Sequence, residues 1–140
     1  MGVIEAMNPV SETNAPNSLM VLSENDKIKG WIYQVCYRLE ETEYFLKIKY
    51  KFSNRYSSTF GQAFSSKNLF KLSSKIWAVA NETQREWVVA HEVCHLICDR
   101  KYGKLSKRNR HHGAMWKGLM IKAGYKPKRC HDVDLKLLKK

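Results

Sequence analysis

The sequence predicts one α+β domain: a helical N-terminal part, a small sheet of about three strands, then two helices bearing the chemically interesting residues. Two observations lead there. Apolar residues recur at intervals of three to four in residues 18–43, which is the helical period, and a capping-box pattern at Asn81–Gln84 with stops at Gly103 and Gly124 marks two later helices. Between these regions, residues 44–80 are rich in β-favouring residues, and Gly61, Ser65-Ser66 and Asn68 break them into short runs. With 140 residues and 44% hydrophobic content, the chain suits a single packed core.

In chain order, residues 1–17 are dominated by Asn, Pro, Ser, Thr and Glu without an apolar period. They read as a flexible tail before a domain over 18–140. Leu19, Leu22, Ile28, Ile32, Val35, Cys36 and Leu39 mark the buried face of the first helical region, and Asn25-Asp26 is a candidate break. Tyr44, Phe45, Ile48, Tyr50 and Phe52 read as the first strand, with Ser57–Phe64 and Leu69–Ser73 as further short runs. Asn81 followed three positions later by Gln84 resembles a capping box. The helix it opens is expected from about Glu82 to Tyr102, with Gly103 as its stop. Lys104–Arg110 reads as a basic loop. A second helix is expected from about Gly113 to Ala123, ended by Gly124 and Pro127, and Arg129–Leu138 as a short strand or helix.

The net charge is +12, unevenly placed. Residues 93–140 carry 14 basic and 3 acidic residues, whereas residues 1–92 carry 11 and 10. Such a field attracts polyanions, of which nucleic acid is the usual one. Lys101, Lys104, Lys107, Arg108 and Arg110 are the candidate phosphate contacts, and a solvated basic loop is the plain alternative. The four cysteines form no CxxC pair, which excludes a zinc ribbon or thioredoxin-like site and fits reduced thiols in a cytoplasmic protein. There is no secretory signal and no apolar run of membrane-spanning length. The expected form is a monomer.

The strongest motif is His91-Glu92-Val93-Cys94-His95. Histidines at i and i+4 project from one helix face and can share one Zn²⁺ at about 2.0–2.1 Å. Glu92 then flanks a zinc-activated water as its proton acceptor. The apolar flanks Trp87–Ala90 and Leu96–Cys98 place the motif in a buried helix, where unpartnered polar side chains are costly. A catalytic zinc wants a third protein ligand. No Glu follows Glu92, which excludes a downstream glutamate ligand, and Cys98 and Lys101 stand where a metzincin needs Gly and His. Asp99, only one turn beyond His95, should point along the helix and away from the metal. His112, 17 residues after His95, suits a return to the same site, with His111 as its rival. Cys130 and His131 are further possible participants, His131 as a hydrogen-bonding neighbour. Trp31, Tyr33, Trp77 and Trp87 read as core or rim, Trp116 as packing behind His112, and Cys94 as a small buried residue.

His91-Glu-Val-Cys-His95, a basic loop and then His112-Gly-Ala-Met-Trp116 together resemble the SprT-like (Spartan-type) metallopeptidase family. Ser58–Gly61, Leu69–Ser73 and Arg129–His131 resemble the segments flanking the family's active site, so the likeness spans roughly residues 55–135. The resemblance implies a zincin-like fold, with His112 as third zinc ligand opening the second helix. It also implies proteolysis, in several members stimulated by DNA and directed at DNA-crosslinked proteins. The chain lacks the cysteine-rich ribbon and long extension of larger members, so DNA contacts would fall to this domain.

The leading expectation is a zinc endopeptidase whose substrate lies extended beside the metal, pairing with a strand such as Leu69–Ser73. One competitor is a nucleic-acid-binding module with a structural zinc, closed by Cys130 or His131 as fourth ligand. The other is a metal-dependent hydrolase of a non-peptide bond.

Overall fold

The computed structural model describes residues 22–103 and 112–138. The expected tail over 1–17 lies outside them. Helix α1 spans Glu24–Arg38. Ser23 caps it by accepting from the Asp26 N–H, so Asn25 and Asp26 fall inside the first turn. The expected break there is not present: the acids sit at the helix N-terminus, where the backbone dipole favours them. Ile28, Ile32, Val35 and Cys36 form its buried face.

Tyr44 and Phe45 were expected in the first strand but belong to a 3₁₀ helix, Thr42–Lys47. Its cause is an anchor on distant parts of the chain: Tyr44 is buried, its hydroxyl donates to Asn68 Oδ1 at 2.9 Å, and the Arg100 guanidinium lies over its ring. The strands are β1 (Lys49–Ser53), β2 (Gly61–Phe64) and β3 (Leu69–Ser73). Their order is β1-β3-β2, with β1 parallel and β2 antiparallel to β3. The left-handed Asn68 (φ 52°) turns the chain between β2 and β3. Alternation turns Tyr50, Phe52, Gly61, Ala63, Phe70 and Leu72 towards the helices, and Lys49, Lys51, Gln62, Phe64 and Lys71 outward.

Helix α2 (Ser74–Val79), absent from the sequence reading, is a short turn capped by Ser73; it buries Ile76 and Trp77. Helix α3 (Glu82–Tyr102) has the expected boundaries, the expected reciprocal Asn81–Gln84 capping box, and Gly103 at its end. Its middle, Val88 to Cys98, is buried all round, as for a central helix. Helix α4 (Ala114–Ala123) packs on α3 and ends at the left-handed Gly124. Arg38 of α1 donates to the Ala123 carbonyl at 2.7 Å, closing that end.

The last described stretch is strapped along the first half of α3. Tyr125 donates to Glu86 at 2.7 Å, Trp87 Nε1 to the Lys126 carbonyl at 3.0 Å, and Gln84 to Asp132 Oδ1 at 3.1 Å. Leu135–Leu138 forms a 3₁₀ turn against α2. Trp77 is core, Trp31 and Trp87 are partly buried against it, and Tyr33 is on the surface. No helix among the described residues is long and apolar enough to cross a membrane.

Candidate metal centre

His91 and His95 lie one turn apart on α3 and aim their Nε2 atoms at one point. His112 reaches the same point from just before α4. The three Nε2 atoms are 3.0 Å (His91–His112), 3.1 Å (His95–His112) and 3.3 Å (His91–His95) apart. Ligands at 2.0–2.1 Å from one tetrahedral ion stand about 3.3 Å apart, so this donor set fits such an ion. Burial and the neighbouring His112 and His131 lower the His91 pKa to about 3, which keeps the ring in the neutral form a ligand needs. With Nε2 aimed at the site, the Nδ1 of His91 carries the remaining proton, and no described residue accepts it. That orphaned group is a cost of about 1–3 kcal/mol carried in the interior.

Two features place His112. Its backbone is left-handed (φ 64°), a conformation that costs a non-glycine residue about 1–3 kcal/mol. Trp116, one turn into α4, packs edge-on against His112 with ring centroids 4.8 Å apart and lies parallel to His95 at 5.2 Å. Its indole Nε1 donates to the His91 carbonyl at 3.2 Å. One buried tryptophan therefore touches all three histidines, a larger role than the expected backing of His112 alone.

Glu92 is 3% exposed, and burial raises its carboxyl pKa to about 8. It faces an open cleft of about 420 Å³, bounded by Ser58–Ala63 on one side, the three histidines on its floor, and Arg129–His131 at its rim. Gly61 meets Glu92 so closely that a Cβ there would lie 2.9 Å from Oε2 and 3.0 Å from Cγ. In the sequence Gly61 read as a boundary between runs and as part of the Ser58–Gly61 resemblance, with no contact to Glu92 expected. A glycine inside a strand also signals close approach, and that is its role here.

The other candidates fall elsewhere. Asp99 accepts from the Ser65 hydroxyl at the far end of the cleft and is outside the three-histidine group. His131 donates from Nε2 to the Ser58 carbonyl at 3.0 Å while Nδ1 accepts from the Val133 N–H at 3.1 Å. It thereby joins the rim to the loop before β2, the hydrogen-bonding part expected of it. Neither it nor Cys130 joins the metal-binding group among the described residues, so the closed four-ligand site expected for a structural zinc is not formed there. Cys94 is buried with no ligand role. Lys101 is exposed, extends over the Tyr102 ring, and is not part of the cleft lining. His111, Lys104, Lys107, Arg108 and Arg110 lie outside the described residues. The Leu69–Ser73 expectation is corrected: β3 is the central strand, hydrogen-bonded on both sides, and cannot accept a further strand. The sheet edge beside the cleft is β2.

Fold and site together define an α+β protein with a three-histidine group, two of them on one helix, able to hold a metal ion. The SprT-like family model matches residues 33–135, and the chain belongs to the SprT-like family. Protein SprT of Pseudomonas fluorescens is 33% identical over 78 residues, covering 54% of this chain and 45% of that protein. The chain thus matches a little under half the length of that curated relative. No solved structure matches it.

Proposed function

We propose that this chain is a zinc-dependent endopeptidase, with DNA-bound or DNA-crosslinked proteins as its substrate class. The observation that carries the reading is the buried Glu92 carboxylate beside three converging Nε2 atoms, at the floor of a cleft open to a polypeptide. Membership of the SprT-like family supports it.

His91, His95 and His112 would hold the zinc. When bound, zinc supplies Lewis acidity, polarising a carbonyl and lowering the pKa of water from 15.7 towards about 7. Glu92 accepts the proton of the attacking water and delivers it to the leaving amine; the positive charge of a bound zinc would favour the ionised carboxylate that the first of these steps needs. Substrate lies extended along the free edge of β2, where Gly61, Gln62 and Ala63 line the cleft, and backbone hydrogen bonds fix its register. Arg129 and His131 bound the opposite side.

The test compares wild type with Glu92→Gln on a loosely folded DNA-binding protein, measuring bound zinc and cleavage together. Equal zinc with cleavage only by wild type supports the assignment. Cleavage by both would remove Glu92 from it. Zinc binding without cleavage of any tested protein would favour the nucleic-acid-binding module.

A further inference from the structure

The outer face of the sheet carries charge that the skew towards residues 93–140 conceals. From Tyr44 to Asn81 the chain contains seven Lys or Arg and no Asp or Glu. The register gathers these cations. Lys49 and Lys51 of β1 point outward, and Lys51 stands directly opposite Lys71 of β3. Like charges directly opposite each other destabilise a sheet, so this arrangement works against folding.

Two shallow depressions adjoin on this face. One is lined by Lys51, Arg55 and Lys71 with Ser53, Asn54 and Ser74; the other by Lys49, Lys51 and Lys67 with Ser66 and Asn68. Among the described residues, the ion pairs join α1, the turn after it, α3, α4 and the tail. None involves these five cations. Lys71 leans over the Phe64 ring at 5.2 Å, which leaves its charge available to a partner.

We propose that this outer sheet face is a nucleic-acid-binding surface that holds the phosphodiester backbone, with Lys51 at its centre. Charge complementarity selects the occupant. Outward positions two residues apart on a strand repeat about every 6.6 Å, and the Ser and Asn side chains between them donate hydrogen bonds to phosphate oxygens. A membrane surface fits less well: among the described residues Phe52 is the one exposed large apolar side chain lining these depressions, and a single ring among five cations is not an inserting apolar face. Gln62 links the face to the cleft. It points outward beside Lys71, is held by the Tyr56 hydroxyl at 2.9 Å, and also lines the cleft. Nucleic acid on this face would therefore lie one edge strand from the histidines. The inference deepens the DNA-bound substrate class of the proposed function, but it concerns binding and is tested without cleavage.

The experiment measures fluorescence anisotropy of a labelled oligonucleotide, single-stranded and duplex, titrated with the full chain carrying Glu92→Gln across a salt series. Three pairs of charge reversals are compared: Lys51→Glu with Lys67→Glu on the sheet face, Lys104→Glu with Lys107→Glu between α3 and α4 in the sequence, and Lys117→Glu with Lys126→Glu around α4. Thermal melting checks the fold. Lys51→Glu places opposite charges across from each other at Lys71, so the sheet variant should melt no lower than the parent. The expected result is at least tenfold weaker binding for the sheet pair only. Its log–log salt slope should be shallower by about 1.4 on single strands, for two contacts at about 0.7 each. Equal weakening by all three pairs would reduce the effect to net charge and overturn the proposal. Loss with the Lys104 and Lys107 pair alone, or binding to phosphatidylserine vesicles but to no oligonucleotide, would also overturn it. If the sheet pair loses binding yet the wild type cleaves nothing, the surface stands and the peptidase assignment falls.

Discussion

Gly61 of β2 and Glu92 of α3 are in contact such that no side chain fits between them: a Cβ on Gly61 would stand 2.9 to 3.2 Å from three atoms of the glutamate. The strand thus fixes where the carboxylate lies. Gly61→Ala should lower kcat by at least tenfold while leaving zinc content at wild-type level. It should also cost about 1–3 kcal/mol of stability, as overpacking does. Shortening the partner relieves the clash, so in a Glu92→Asp background the same Gly61→Ala change should cost clearly less. Equal destabilisation in both backgrounds, read by denaturant melts, would show that the strand and not Glu92 resents the methyl group.

His112 combines a left-handed backbone with a ligand position. Asparagine tolerates that backbone but removes the imidazole. His112→Asn should therefore leave the melting temperature in chelator unchanged or slightly raised. Zinc affinity should fall by more than the roughly 10–100-fold that loss of a partner around a ligand costs. In wild type, zinc at about 100 times its Kd should add about 2.7 kcal/mol to stability, and chelation should remove it. An unaltered zinc isotherm for His112→Asn would hand the third position to another residue.

Trp116 bonds the His91 carbonyl and stacks on His95, so its loss should loosen the centre as well as the core. Trp116→Phe removes one buried hydrogen bond and part of the ring, a change of about 1–3 kcal/mol. Zinc affinity should fall several-fold in parallel. A variant that melts lower yet binds zinc as tightly as wild type would confine Trp116 to packing.

The thiols should separate cleanly. Burial raises the Cys36 pKa to about 12 and that of Cys98 to about 11, and pushes Cys94 higher still, so thiolate at neutral pH is scarce. Cys130 is exposed at the cleft rim. Native protein should take up one equivalent of iodoacetamide, at Cys130 by peptide mapping, and four after denaturation. Rapid labelling of Cys94 in the native state would mean that α3 opens far more readily than its burial implies.

The site was more legible in the sequence than the sheet. His91, Glu92, His95 and His112 sit on or beside helices whose caps are local: Asn81–Gln84 at one end, Gly103 and Gly124 at the others. Local signals set helix boundaries, and the i, i+4 spacing needs no tertiary information. The sheet depends on partners far along the chain. Tyr44 looks like a strand residue, yet its hydroxyl bond to Asn68 and the Arg100 guanidinium over its ring draw it into a 3₁₀ turn. Strand order was equally hidden, because nothing in Leu69–Ser73 reveals that β1 and β2 flank it on both sides. The Gly61–Glu92 contact joins a sheet to a helix and has no periodic signature.

The two borders of the sheet differ in a way that bears on behaviour at high concentration. An unpaired strand border is a template for another copy of the chain. The β1 border carries Lys49 and Lys51, whose charge discourages such pairing. The β2 border carries no charge, but it is only four residues long and lies beside the cleft, and a short border is a poor template. Neutralising Lys49 and Lys51 with apolar residues would convert the guarded border into a nucleus for precipitation, which is why reversing the charge is the sounder way to probe that face.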